Sequence, residues 1–350
     1  MADTRDIKER IKDRVNQGLL GQWYVVAKSV DVQPGRPHAV KALGQSLVLW
    51  REPDGKVSCV EDYCPHRGAP LSRGIVHDIG IACRYHGVVV DRAGTIARVP
   101  AMPDCPLEGR KAVASYQTTE AADAIFAFFP SVERPVAPPI NLPPELSDPE
   151  WTGFLCTSPW ACNYRYALDN LADPMHGCYL HAESFTLAYG AKQDLMKLDK
   201  TEHGFIVRRV QQAGENFDWT EMVFGASTWC RLDLPYPKAA GPGGIFRIIG
   251  YCTPIDETSC KVYFWRLRKI VGLEREAWRF MYRALLEERH WNVLEQDRVM
   301  LSAMPDDARM REMLYQHDIG VGALRQTLTR CARSQVEAED AAAARSAAAS

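Results

Sequence analysis

From Ile7 to Leu19 the apolar positions recur every fourth residue. Ile7, Ile11, Val15 and Leu19 share one side with charges between them, so residues 5–19 are predicted to form an amphipathic helix. From Gly21 the pattern changes to short apolar runs: "QWYVVAKS", "SLVLWREPDGKVSCVEDY", "GIVHDIGIACRYHGVVVDRAGTIARV" and "AIFAFFP". Asp54-Gly55 and Ala93-Gly94 break these runs and suit hairpin turns, so residues 22–130 are expected to be mostly β. Residues 130–149 carry seven prolines. Proline cannot donate to a helix or sheet ladder, so this stretch reads as an extended linker and a domain boundary.

Beyond the boundary, "WACNYRYALDNLADPMHGCYLH" reads as helical. The runs "GFIVRRVQ", "WTEMVF", "STWCRLDLPY", "GGIFRIIGYCTPI" and "CKVYFWRLRKIV" predict an antiparallel sheet of five or more strands. A long helix is expected over about 274–301 and a shorter one over about 310–329. The low-complexity end, "AEDAAAARSAAAS", is expected to fray. The fold class is α+β, in four segments. A helix in 1–21 packs on the body, 22–138 form a β domain, 139–333 form a second domain with an antiparallel sheet and covering helices, and 334–350 form a tail.

At 350 residues, about two domains are expected. A formal net charge of -2 gives no basic surface for nucleic acid or an anionic membrane. The N-terminal stretch is charged, without the apolar core of a secretory signal, and no apolar run approaches the ~20 residues of a membrane span. The expectation is a cytoplasmic protein. Its eleven cysteines are odd in number and scattered, which fits buried thiols in a reducing compartment better than a disulfide framework.

Four of the nine histidines fall in two tight clusters. The first is "CPHRGAPLSRGIVHDIGIACRYHG", where Cys64-x-His66 and Cys83-x-x-His86 form two mixed clamps. Thiolates and imidazoles bind zinc and iron alike. A zinc finger, however, pairs cysteine with cysteine and histidine with histidine along the chain. One Cys and one His per clamp suits an asymmetric two-iron cluster, with both thiolates on one iron and both imidazoles on the other. Pro65, Gly68 and Gly87 flank the ligands, and glycine lets backbone N–H groups approach sulfide.

The second cluster is "DNLADPMHGCYLH", with Asn170, Asp173, His176 and His181. On a regular helix His176 and His181 would point about 140° apart, so sharing a metal requires distorted backbone, such as a π-type bulge. Pro174 and Gly177 are consistent with that. Two histidines need a carboxylate to make the open ligand set of non-haem Fe(II) oxygenases. In "ALLEERHWNVLEQDRVML", Asp297 lies within about 60° of Leu294 and 40° of Leu301, on the buried face. Glu295 turns toward solvent; it and Glu288 are the alternatives.

The strings "CPHRGAPLSRG", "CRYHG" and Asn170-x-x-Asp173-x-x-His176-x4-His181 together resemble the Rieske non-haem iron oxygenases over nearly the whole chain. The resemblance is to the terminal oxygenase component, in the shorter homotrimeric members that demethylate O- or N-methyl groups or oxygenate aromatic acids and heterocycles. Val88 departs from the Trp that many members carry after His-Gly, which reads as a packing change. Respiratory Rieske proteins have an extra cysteine in each loop; here those positions are Ala69 and Tyr85.

The resemblance implies a Rieske [2Fe–2S] cluster on Cys64, His66, Cys83 and His86. It also implies a mononuclear Fe(II) on His176, His181 and Asp297, with O2 as cosubstrate. Electrons would come from an NAD(P)H-dependent reductase, with or without a ferredoxin. The reaction would be hydroxylation or oxidative demethylation of a small aromatic compound. Asp173 would bridge an iron-bound histidine to His66 or His86 of the next chain in a head-to-tail homotrimer, or else orient an iron-bound His of its own chain. The alternative function is a Rieske electron-transfer protein without oxygenase activity. Trp219, Phe224, Trp229, Arg231, Phe246, Arg247 and Trp265 are the candidate pocket residues, and an inward Arg would favour a carboxylate.

Overall fold

A computed structural model describes residues 5–184, 187–188, 190–236, 244–305 and 307–349. The chain forms two compact units. One is Leu20–Pro138, and the other joins the chain before Leu20 to the chain after Pro138.

The first unit consists of three small antiparallel sheets. Its hydrophobic centre gathers Tyr24, Leu47, Leu49, Ile125 and Phe129. These residues come from strands Gln22–Lys28, Gln45–Arg51 and Ala124–Phe129. The Asp54-Gly55 turn closes with Gly55 N–H donating to the Glu52 carbonyl, and Ala93-Gly94 closes likewise on Asp91. A four-stranded sheet made of Ile75–His77, Gly80–Ala82, Val89–Val90 and Ile96–Arg98 carries the second clamp loop between its second and third strands. A second cluster, with Trp50, Leu71, Ile81, Val88 and Val90, packs around Cys64 and Cys83. Val88 is thus a buried member of the same core as the two thiols.

The second unit begins with helix α1 (Ile7–Gln17), capped by the Asp6 carboxylate. Its other helices are α2 (Tyr164–Leu171), α3 (Gly177–Leu180), α4 (Gly272–Met281), α5 (Glu287–Ser302), α6 (Ala308–Arg311) and α7 (Ile319–Ala349). The helix expected over 274–301 is interrupted by a π-helical turn at Tyr282–Leu286. The end of the chain, expected to fray, is helical through Ala349. Val336 is buried with Ile11, Val15 and Leu19 of the N-terminal segment, and Arg10 and Arg14 reach Asp340 and Glu339 at 2.7 and 2.6 Å. Low-complexity composition did not reveal this apolar contact. Among the described residues, no helix is long and apolar enough to cross a membrane.

The sheet has seven antiparallel strands. Their order is Trp151–Trp160, Cys260–Lys269, Gly244–Pro254, Trp229–Tyr236, Trp219–Val223, Gly204–Arg209 and Met196–Thr201. Register decides what each face carries. Phe154 pairs with Arg266, Arg266 with Ile248, and Ile248 with Leu232. Directly opposed residues share a face and alternate residues share a face, so Phe264, Phe246 and Leu234 join that set. Trp229, Arg231, Arg247 and Trp265 fall on the other side.

Candidate functional site

The two clamp loops have the same backbone construction. In each, the Cys N–H donates to the carbonyl five residues on (Cys64 to Ala69, 2.8 Å; Cys83 to Val88, 2.9 Å). In each, the Gly N–H four residues on donates back to the Cys carbonyl (Gly68 to Cys64 and Gly87 to Cys83, both 2.8 Å). That turn requires a left-handed residue at its end, and Gly68 and Gly87 take φ of 75° and 76°. The loops bring Cys64 and Cys83 into contact, both buried, while His66 and His86 lie exposed with ring centroids 4.6 Å apart. Burial pushes the Cys64 thiol pKa up; the His66 and Arg67 N–H groups aimed at the sulfur oppose this, and Cys83 adds to it. Backbone donors on a buried sulfur suit a thiolate held by metal. Where a loop disulfide would need cysteines at 69 and 85, Arg67 of the first loop instead stands over the Tyr85 ring of the second, 5.4 Å from its centroid.

The second site draws on two elements. After α2 the chain cannot continue as helix, because Pro174 lacks an N–H and holds Asp173 extended (φ -119°, ψ 98°). A 3-10 turn over Pro174–His176 follows, then the single turn of α3, with His181 just past its end. This pair of tight turns, rather than a π bulge, brings His176 and His181 together; the π turn lies instead in the helix leading into α5. Asp297 comes from α5, 7% exposed, with Leu294 and Leu301 beside it. Its Oδ1 lies 3.6 Å from His176 Nε2 and 3.3 Å from His181 Nε2. Arg298, a conceivable rival partner, pairs with exposed Glu295 instead.

The opposite ring nitrogens are also fixed. His176 Nδ1 meets the Asp173 carbonyl at 2.6 Å, and His181 Nδ1 meets Gln296 Oε1 at 2.8 Å. A carbonyl oxygen only accepts, so Nδ1 carries a proton in each ring, which leaves Nε2, the atom facing Asp297, as the nitrogen that a metal can take. Two Nε2 atoms and a carboxylate thus converge, with ligand atoms within 4.8 Å of one another. Such a set suits a shared cation. Even with only protons available, the His181 pKa is raised: burial works against its charge, but Asp297 and Gln296 outweigh burial. Asn170 Nδ2 donates to Asp297 Oδ1 at 3.3 Å. The carbonyl of Asp173, not its carboxylate, orients His176. The carboxylate caps the Met175 N–H at 2.8 Å. Gln296 escaped the sequence reading, although its place next to Asp297 on the same helix was a usable signal.

A cavity of about 500 Å³ opens on this triad. Its walls are Leu232, Leu234, Phe246, Ile248, Phe264 and Arg266 of the sheet, faced by residues 286–297 of the helix. Of the seven candidate pocket residues only Phe246 lines it. Arg231 and Arg247 lie on the other face, where both hold Glu145 and each a second carboxylate, Glu221 and Asp233. Trp229 there donates its indole N–H to the Asn141 carbonyl, and Trp265 packs on Tyr251. Trp219 shares that face through the Glu221–Arg231 pairing, and Phe224 packs against Phe205. The five runs expected to be strands are strands, while Trp151–Trp160 and Met196–Thr201 were not among them; alternation leaves the faces unlabelled, since a one-residue change of parity reverses every one.

Residues 22–117 match the Rieske [2Fe-2S] domain, and residues 160–334 match the vanillate O-demethylase oxygenase C-terminal domain. The chain belongs to the Rieske non-haem iron oxygenases. Among its relatives is a vanillate O-demethylase oxygenase subunit of Pseudomonas sp. (strain HR199 / DSM 7063), 36% identical over 46% of this chain and 45% of that one. Another is the phthalate 4,5-dioxygenase oxygenase subunit of Pseudomonas putida, 25% identical over 71% and 60%. The chain thus spans about half the length of the curated relatives it matches. The fold is shared with the terminal oxygenase of carbazole 1,9a-dioxygenase from Nocardioides aromaticivorans IC177, with a TM-score of 0.72 at 20% identity, covering 94% of this chain and 98% of that one. Both donor sets of this Rieske oxygenase fit the iron that its family uses: paired thiols and imidazoles in one, two imidazoles and a carboxylate in the other.

Proposed function

We propose that the protein is a terminal oxygenase that hydroxylates, or oxidatively demethylates, a small aromatic compound. The observation that carries this reading is the convergence of two oriented imidazole Nε2 atoms and a buried carboxylate at the wall of a largely apolar cavity. Cys64, His66, Cys83 and His86 would hold a [2Fe–2S] cluster, and His176, His181 and Asp297 a single Fe(II). Bound iron would supply one-electron transfer at the first site and O2 activation at the second.

The protein's own residues do the rest. The Asp173 carbonyl and Gln296 fix the two ring orientations, and Asn170 holds Asp297 from the side. Phe246, Ile248 and Phe264 keep water from the reacting carbon and give an aromatic ring its contact surface. A pure electron carrier would need neither the triad nor this cavity.

Assembly and partners belong to the same proposal. His66 and His86 are exposed, so they can meet an incoming protein. The Asp173 side chain is about one-quarter exposed, and its charge is felt by the phenol of Tyr315. Met310, Met313 and Tyr315 are 79%, 93% and 68% exposed in the same stretch of chain, an apolar surface that suits docking of a second copy. In a head-to-tail homotrimer Asp173 would accept a hydrogen bond from His86 of the neighbouring copy and join the two sites. Electrons would come from an NAD(P)H-dependent reductase in the cytoplasm, directly or through a ferredoxin. A carbazole 1,9a-dioxygenase oxygenase of the same fold is known in complex with its ferredoxin.

Two measurements test this. Purified protein should be brown, with about three iron atoms per chain. With a reductase, it should consume O2 and release either hydroxylated product or formaldehyde across a panel of aromatic compounds. A colourless zinc protein, or one holding only the cluster iron, would remove the proposal. Asp173→Asn should keep both sites loaded and reducible yet lose turnover; normal product formation would remove the bridge.

A further inference from the structure

At the end of the cavity away from the triad, a buried positive charge faces inward. Arg266 sits in a central strand of the sheet, 3% exposed, and lines the cavity. Its Nη1 donates to the Tyr282 hydroxyl at 2.8 Å and its Nη2 to the His290 carbonyl at 3.1 Å, and its guanidinium lies 5.0 Å from the Trp291 ring centroid. These partners are neutral, and among the described residues Arg266 forms no ion pair. The arginines on the opposite face of the same sheet differ. Arg231 and Arg247 each meet two carboxylates. Arg209, equally buried on another strand, meets Asp194 at 3.3 Å.

A guanidinium cannot shed its proton to relieve burial. A buried charge without a counter-ion is costly, and the cost is lifted when an anion arrives. The surroundings do not supply one. Arg289 also lines the cavity, and its charge reaches His290. Burial, together with the charges of Arg266 and Arg289, holds the His290 pKa down at about 3, so this imidazole is neutral there. Of the lining residues only Glu183 and Asp297 are carboxylates; Glu183 is exposed and Asp297 belongs to the triad.

The distance between the two ends is set by a helix. Arg266 grips the carbonyl of His290, seven positions before Asp297. At 1.5 Å per residue that is about 10 Å along the axis, the span of one aromatic ring with substituents at opposite ends. Between the poles the walls are Val293 and Leu294 on one side and Phe246, Ile248 and Phe264 on the other.

We propose that Arg266 anchors a carboxylate of the substrate, so that this site takes a monocyclic aromatic acid whose reacting substituent lies para to the acid group. The planar fork of Arg matches a carboxylate through two parallel hydrogen bonds. This rests on the reading of the cavity as the substrate site.

The test is calorimetric, on iron-loaded protein without reductase. The probes are 4-methoxybenzoate and its uncharged methyl ester. Wild-type protein should bind the acid at least about tenfold more tightly than the ester, and Arg266→Met should weaken the acid by about ten- to a hundredfold while leaving the ester nearly unchanged. Arg266→Lys should retain part of the preference. Equal binding of acid and ester by wild-type protein overturns the proposal without any variant, as does unweakened acid binding by a folded Arg266→Met. Arg266-dependent acid binding, with neither O2 uptake nor formaldehyde once a reductase is added, would keep the anchor and remove the oxygenase reading. Turnover of uncharged aromatics without acid binding would do the reverse.

Discussion

The two candidate metal sites are built in opposite ways. The first lies within one stretch, Cys64 to Gly87, and its two loops repeat one backbone plan: a Cys–Gly hydrogen-bonded turn closed by a left-handed glycine. Local sequence sets nearly all of it. The second takes His176 and His181 from a broken helical segment and Asp297 from α5, far along the chain, and holds them with Gln296, Asn170 and a backbone carbonyl. A site made of local turns is robust to packing elsewhere but sensitive to its own backbone. A site made by convergence keeps its backbone when a side chain changes but loses the metal.

The sharpest separation of the two comes from paired ligand removals. Asp297→Ala should empty the second site and abolish turnover, a loss larger than the roughly hundredfold that outer partners cost. The visible spectrum of the first site should remain. Cys64→Ala should do the converse, bleaching the spectrum while iron at the triad persists. If either substitution empties both sites on metal analysis, the independence of the two is wrong. His66→Cys should keep colour and lower the reduction potential, since an added thiolate raises the negative charge on the cluster.

Gln296→Ala probes convergence more gently. It removes the partner of His181 Nδ1 and should weaken iron binding at the second site by about ten- to a hundredfold, read by chelator competition. Unchanged affinity would mean that the His181 ring is held by packing alone.

For the local site the corresponding probe is backbone. Gly87→Ala forces a side chain into φ 76° and places its Cβ 3.2 Å from Pro100 Cγ. About 1–2 kcal/mol of stability should be lost, visible as a lower melting temperature of the first unit. Arg67→Ala, removing the exposed contact over Tyr85, should cost less, about 0.5–1 kcal/mol.

An effect of similar size concerns pH. Burial, then Arg266 and Arg289, lower the His290 pKa to about 3. Between that value and the ordinary histidine range the unfolded chain binds a proton that the folded one refuses. Stability therefore falls as pH drops below about 6.5, by about 1 kcal/mol per unit. His290→Asn should flatten that slope relative to wild type in denaturant titrations at pH 6.5 and 5.5. Parallel slopes would show that His290 titrates freely.

The sequence by itself determined the clamp, the α+β division and the strand-rich character of both units. These features are local: hairpin turns, alternation, and Cys–His spacing within a single loop. It also placed Asp297 on a buried helical face, because helical period fixes which side chains share a side. What only the tertiary structure decided was which face of the sheet looks inward. Arg231 and Arg247 read as pocket cations and prove to be ion-paired on the far face, while Arg266 points into the cavity. Alternation gives two faces without labelling them, and the label comes from what packs on each: the helix of residues 286–297 on one side and the segment with Asn141 and Glu145 on the other. The tail was misread for the same reason, since its apolar partners lie in the first helix, at the opposite end of the chain.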